Sequence, residues 1–220
     1  MTLKPIARIE NDFPTKFGLP RQSGLNPLFL SRVRPVGEYA RQEYWRGLEE
    51  FSHLWLIWGF DVPPSGNATV RPPRLGGNER RGVFATRAPF RPNPLGLTVV
   101  RLEGLEREPG GVCLVVSGAD MKSGTLVYDI KPYIPYADSV PQALGGFASA
   151  HASDRLLVVF PPELQSKIPA DKLPALVESL REDPRPQYQN DPARTYGFTY
   201  AGRDVRFRVE GDTLTVVEIV

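Results

Sequence analysis

Gly82-Val83-Phe84-Ala85-Thr86-Arg87-Ala88-Pro89-Phe90-Arg91-Pro92-Asn93-Pro94-Leu95-Gly96-Leu97 carries an apolar run into a loop with three prolines, two arginines and an asparagine. A second apolar run, Leu97–Leu102, leaves that loop. Runs this short, bounded by Pro and Gly, read as strands. Each proline fixes its own φ and holds the preceding residue extended, so the loop is stiff before a ligand arrives. A stiff loop holds Arg87, Arg91 and Asn93 at set angles, which suits an anionic or nucleotide-like ligand. A rigid surface turn with solvated arginines would look the same in sequence.

Outward from this loop the strand pattern continues. Ile6–Ile9, Leu54–Phe60, Gly82–Thr86, Val112–Ser117 and Leu126–Ile130 are further predicted strands. Glu38–Leu48 is polar and reads as a short surface helix or a loop. With 23 Pro and 20 Gly spread along 220 residues, long helices are disfavoured and a mainly β first unit resembling a barrel is expected. Residues 141–154, rich in Gly, Ala and Ser, read as a linker. Beyond it a strand at Leu156–Phe160, an amphipathic helix at Leu173–Leu180 and strands at Thr195–Tyr200, Val205–Val209 and Thr213–Ile219 predict a small α+β unit. Units of roughly 70 residues bury modest cores, so this one is expected to lean on the first.

Composition narrows the class. Hydrophobic residues at 41% and charged residues at 24% fit an ordinary globular protein with a real core. The net charge of +2 permits a nucleic-acid partner without requiring one. The single cysteine, Cys113, lies in an apolar run and reads as a buried thiol, in keeping with a reducing cytoplasm. The longest apolar run, Leu54–Trp58, is too short for a membrane span, and the N-terminus lacks a secretory signal. His53 and His151 have no metal spacing, so no metal is expected. No Ser-His-Asp order, phosphate loop or dinucleotide fingerprint is present.

Three segments concentrate polar chemistry. Between Val62 and Val100, Arg71, Arg74, Arg80, Arg81, Arg87 and Arg91 face one acid, Glu79, a local field that attracts phosphates. In Lys122–Ser139 a turn, Ser123-Gly124-Thr125, can offer backbone N–H groups, and Asp129, Lys131, Tyr133, Tyr136 and Asp138 crowd together. Asp129 shares strand parity with Val127, so it is expected to point inward and take a cationic partner. Leu19-Pro20-Arg21-Gln22-Ser23-Gly24-Leu25 is a third, weaker signal. In the second unit Arg206 and Arg208 share one strand face, which reads as a solvated edge or an RNA backbone contact.

These segments bring a family into view. GVFATRAPFRPNPLGL (82–97), SGTLVYDIKPYIPYADS (123–139), FSHLWLIWGF (51–60) and FGLPRQSGL (17–25) resemble the signatures of the TsaA-like family. Asp183-Pro184-Arg185-Pro186-Gln187-Tyr188 and Arg194-Thr195-Tyr196-Gly197 resemble the extra domain of its longer bacterial members. That family includes a tRNA adenine N6-methyltransferase acting on threonylcarbamoyl-adenosine beside the anticodon. The resemblance implies a single-sheet β-barrel over residues 1–140 that binds cofactor and carries catalysis, the linker, and a tRNA-contacting α+β unit over residues 155–220. It also implies S-adenosylmethionine as cofactor, a threonine-type tRNA as substrate, a homodimer with the cofactor near the interface, and a cytoplasmic location.

Carried over position by position, the cofactor residues would be Pro20, Arg21, Gln22, Phe60, Asp61, Arg87, Leu97, Ser123, Gly124, Thr125 and Leu126. Asp61, Ala88, Ser123 and Leu126 depart from the usual family residues. Deprotonating a carbamoylated nitrogen calls for a base. The expected base is Asp129, with Lys131 or Arg91 orienting it or the substrate carboxylate, and Asp138 in reserve. Two alternatives stay open. One is a binding module without chemistry; the other is a methyltransferase for a small acceptor, whose reaction would survive loss of residues 155–220.

Overall fold

The computed structural model describes residues 2–72, 79–109, 111–151, 155–185 and 191–220. Arg74, Pro186-Gln187-Tyr188 and linker residues 152–154 therefore lie outside the described residues, as does the His151 side chain.

The chain is mainly β. Its strands are β1 (Ala7–Glu10), β2 (Leu30–Pro35), β3 (His53–Gly59), β4 (Thr69–Val70), β5 (Arg81–Gly82), β6 (Leu95–Glu108), β7 (Gly111–Ser117), β8 (Leu126–Pro132), β9 (Leu157–Val159), β10 (Tyr196–Tyr200), β11 (Arg203–Glu210) and β12 (Thr213–Ile219). The helices are α1 (Pro135–Asp138), α2 (Pro162–Gln165) and α3 (Leu173–Arg181).

Six strands pair in the order β1-β2-β7-β6-β3-β8, and β8 pairs back onto β1, so the sheet closes on itself. Each of these contacts is antiparallel. Alternation explains the interior. Leu54, Leu56 and Trp58 of β3 point in and are buried, while Trp55 and Ile57 stand outside. Ala7, Ile9, Val33, Val100, Leu114, Val116 and Val127 complete the inner cluster. A second sheet, β10-β11-β12-β9, carries α3 and its own core. Two glycine-bearing turns join β10 to β11 and β11 to β12, with Gly202 at φ 75° and Gly211 at φ 55°.

The second unit leans on the first, as expected, through residues 12–29, the connection from β1 to β2. Phe13 and Phe29 are fully buried in the core of the second unit. The Phe13 ring lies 4.9 Å from both Phe29 and Tyr200. Buried Asn26 donates to the Ala175 carbonyl and the Ser179 hydroxyl, each at 2.8 Å. Lys172 pairs with Asp12, and Arg21 donates to the carbonyls of Asp183 and Arg185 at 2.6 and 2.5 Å. Gly18, at φ 86°, sits against the Phe198 ring where a Cβ would come within 2.5 Å. Loss of residues 155–220 would strip cover from Phe13 and Phe29. Truncation is therefore not the clean separation of acceptors that the sequence suggested.

Several expectations are corrected. β2 lies outside the predicted strands. Gly82–Thr86 is not a strand: β5 is two residues long, and Val83–Ala85 winds into a 3-10 turn. Glu38–Leu48 forms 3-10 turns at Gly37–Ala40 and Gln42–Trp45, with another at Leu48–Glu50. The inward Asp129 is also overturned. Ile57 pairs Asp129 while Trp58 pairs Val127, so a bulge inserts Tyr128 and reverses the parity. Val127 and Ile130 take the core side, and Asp129 faces outward with Lys131 at 3.0 Å. No helix among the described residues is long and apolar enough to cross a membrane, and none of their His, Cys, Asp and Glu side chains group as metal ligands.

Candidate functional site

A cleft of about 700 Å³ opens where β3 ends, β6 begins and β7 has just finished. Trp58 and Phe60 supply an aromatic wall, their ring centroids 4.3 Å apart and their planes inclined at 61°. Leu95, Leu97 and Val99 of β6 supply an aliphatic one. The Pro-rich loop contributes Arg87, Arg91 and Asn93, and the β1–β2 connection contributes Arg21, Gln22 and Ser23.

The loop is braced by its own bonds as well as by its prolines. Phe60 donates its N–H to the Pro94 carbonyl at 2.8 Å, and Ser65 donates to the Arg91 carbonyl at 3.0 Å. The Thr86 hydroxyl donates to Val83 at 2.9 Å and accepts from the Ala88 N–H at 3.3 Å. Arg87 Nη1 donates to Gln22 Oε1 at 2.8 Å, which ties the loop to the β1–β2 connection. Arg91 Nη1 donates to the Thr86 carbonyl at 3.3 Å. Both guanidinium groups are thus positioned within the cleft before any anion enters. Arg80 and Arg81 are spent elsewhere, on Thr69 at 2.7 Å and on Glu79 at 2.6 Å.

Of the residues expected to hold a cofactor, the cleft gathers Arg21, Gln22, Phe60, Arg87 and Leu97. Pro20, Asp61 and the turn Ser123-Gly124-Thr125-Leu126 do not line it. Asp61 is turned to Lys122 at 2.9 Å, a bond that holds its carboxyl below the usual range. The turn does not offer its N–H groups as expected, because the chain uses them. Ser123 donates to Phe13 and Gly124 to Ile9, each at 2.8 Å, and Thr125 donates to Lys122 at 3.2 Å. Their role is to fasten the start of β8 to β1 and to the segment that follows β1. Of the expected catalytic residues, Arg91 lines the cleft. Asp129 and Lys131 form an exposed pair outside it. Asp138 accepts from Trp55 Nε1 at 3.1 Å and from the Ile134 N–H at 2.8 Å, which fixes it beside the cleft-lining Trp55. In the second unit Arg206 is paired with Asp204 and Glu218, so Arg208, bonded only to the neutral Thr195 hydroxyl among the contacts described, carries the basic character of that face.

Sequence reading missed Asp120. It follows β7, two residues after Gly118, whose φ is 79°, and it lines the cleft. Asp120 Oδ1 accepts from Thr98 Oγ1 at 2.7 Å, and Thr98 Oγ1 accepts from Trp58 Nε1 at 2.9 Å. Burial pushes the Asp120 carboxyl up, and the Thr98 hydroxyl, its own backbone N–H and the Arg87 charge pull against that rise. The signal available in sequence was weak: an acid two residues after a strand-ending glycine.

The donor set suits a nucleoside carrying a charged tail. Flat aromatic and aliphatic walls match a base and ribose, fixed guanidinium groups match a carboxylate, and one acid matches an ammonium or another N–H donor.

Comparison with known proteins fits this geometry. Residues 8–139 match the tRNA-methyltransferase O N-terminal domain, and residues 153–220 match the TrmO C-terminal domain. A tRNA (adenine(37)-N6)-methyltransferase of Escherichia coli (strain K12) is 38% identical over 214 residues, covering 93% of this chain and 91% of that protein. An S-adenosyl-L-methionine-binding protein of Archaeoglobus fulgidus is 37% identical over 145 residues, covering 66% of this chain and 98% of its own length. A crystal structure of TrmO from P. aeruginosa superposes with a TM-score of 0.82 at 33% identity, covering 100% of this chain and 96% of that one.

Proposed function

The chain belongs to the tRNA-methyltransferase O family, and from that premise we propose how its cleft does the family's work. It is an S-adenosylmethionine-dependent methyltransferase acting on N6 of adenosine 37 in tRNA. We read the acceptor as the threonylcarbamoylated form of that adenosine, in tRNA of the threonine type. We read the closed six-stranded sheet as the family's single-sheet barrel. Residues 1–140 form the catalytic unit, 141–154 the linker and 155–220 the tRNA-contacting unit. The separate matches of residues 8–139 and 153–220 to two domain families support this division.

The observation that carries the cofactor assignment is the Arg87–Gln22 bond across the mouth of an aromatic-walled cleft. The residues present fit the cofactor's chemistry. Phe60 and Leu97 would hold the adenosyl moiety, and Arg87, set by Gln22, would take the carboxylate of the amino-acid tail. Arg91 would face the carboxylate of the threonyl group. Pro20 and Asp61 would shape the rim, with the fastened Ser123–Leu126 turn setting its far edge. When bound, the cofactor supplies a methyl group from its sulfonium centre. The chain's own contribution is alignment and exclusion of water. Phe84, Leu95 and Leu97 are exposed where they line the cleft, an apolar rim that a second copy of the chain would cover, so we assign a homodimer with the cleft at its interface. We place the reaction in the cytoplasm, where tRNA is available.

The test combines purified protein, methyl-labelled S-adenosylmethionine and tRNA with or without the threonylcarbamoyl group, followed by mass spectrometry of nucleosides. One methyl group added to threonylcarbamoyl-adenosine is the expected product. Cofactor binding without transfer to either tRNA would favour a binding module, and transfer to a small acceptor alone would favour the other alternative.

A further inference from the structure

We propose that Asp120 is the catalytic residue that takes the proton from the target nitrogen as the methyl group is transferred. The inference rests on the reading above and assigns one step within it. Among the described residues, Asp120 is the one carboxylate that lines the cleft. The other acids considered are occupied: Asp129 by Lys131, Asp61 by Lys122, and Asp138 by Trp55 and the Ile134 N–H.

Asp120 is also oriented. The indole of Trp58 donates to Thr98 Oγ1, so that hydroxyl must turn its own hydrogen to Asp120 Oδ1. The bond commits one lone pair of Oδ1 and fixes the carboxylate plane. Trp58 and Thr98 are both buried, so this chain of bonds is sheltered from competing water. Charged groups around Asp120 are cationic: Arg87 beside it, and Arg21 and Arg91 on the same cleft, with Lys122 turned away to Asp61. The Thr98 hydroxyl and the Arg87 charge favour the ionised form, which is the form that accepts a proton. Burial works in the opposite direction and strengthens it as a base.

The step balances without another reactant. The N6–H bond of the carbamoylated adenosine breaks, and its proton passes to Asp120. N6 forms a bond to the methyl carbon, and the carbon–sulfur bond breaks with its electron pair going to sulfur. Protonated Asp120 returns its proton to water once the products have left.

The test uses the full chain and Asp120→Asn, with Thr98→Val as the second variant. In single turnovers at saturating cofactor, Asp120→Asn should slow methylation of threonylcarbamoylated tRNA by about 100-fold or more. Its cofactor affinity by calorimetry should stay within about threefold of wild type. In ligand-free protein, the Trp58 indole N–H resonance should titrate with pH through the Thr98 bridge and stop doing so in Asp120→Asn. Thr98→Val keeps the carboxylate but removes a bond that favours its charged form. It should move the acid limb of the pH–rate profile to higher pH, and this outcome decides the matter if Asp120→Asn fails to fold. Wild-type turnover by Asp120→Asn, or an unmoved limb in Thr98→Val, overturns the assignment. A change confined to cofactor affinity overturns it too. Failure of the wild-type chain to methylate any tRNA sinks the functional reading itself, a result separate from the Trp58 titration.

Discussion

Gly96→Ala tests the cleft at its tightest point. Gly96 pairs with Trp58 across β6 and β3, and a Cβ on it would overlap atoms of the indole ring. The ring cannot swing freely, because it is buried, packed edge-on against Phe60 and tethered by Nε1 to Thr98. Overpacking a formed core costs about 1–3 kcal/mol. If the indole turns to make room, the Thr98 bond goes too, at about 1 kcal/mol. The sum is roughly 2–4 kcal/mol, which for a chain of this length lowers the melting temperature by about 4–16 °C. Thermal unfolding followed by circular dichroism and by tryptophan fluorescence measures it. The same substitution in a Trp58→Leu background should cost much less, since the two sites are coupled. A melting temperature within about 2 °C of wild type would refute the reasoning, because the glycine would then not be set by the indole.

Other consequences are as direct. Phe13→Ala should cost about 3–5 kcal/mol and loosen the second unit, read as lost amide protection in β10–β12 by hydrogen exchange. Gln22→Ala frees Arg87 and should weaken S-adenosylmethionine binding by about tenfold in calorimetry, while leaving the melting temperature nearly unchanged. Arg208→Ala should reduce the slope of log affinity for tRNA against log salt by about one, whereas Arg206→Ala, already neutralised by Asp204 and Glu218, should reduce it far less.

Much of the fold was legible because alternation and turn chemistry agreed. β12 runs over Thr213–Ile219 as the sequence predicts, set off by Gly211 at positive φ. α3 was visible from Leu173, Leu176 and Leu180. β2 escaped because only Ser31 and Val33 face inward, too few apolar residues for an alternating signal between Arg32 and Arg34. Val83–Ala85 misled in the other direction, since an apolar run cannot by itself distinguish a strand from a turn that buries one valine. In the site, the Pro-rich loop was read correctly as a rigid carrier of arginines. The polarity of Asp129 was not, because a bulge is a property of two strands together and leaves no mark on either alone. Asp120 stayed hidden for a related reason: its partners, Thr98 and Trp58, lie 22 and 40 residues apart in successive links of the bond chain.

The burial of Phe13 and Phe29 beneath β10 to β12 has a consequence for synthesis on the ribosome. Arg21 and Gln22 sit between those two phenylalanines in sequence and at the cleft mouth in space. A nascent chain can close its six-stranded ring early, yet the mouth stays unset until the last strands emerge and cover the waiting aromatics. The cleft is thereby left unfinished until the second unit has been made, so an interrupted translation product lacks a set mouth.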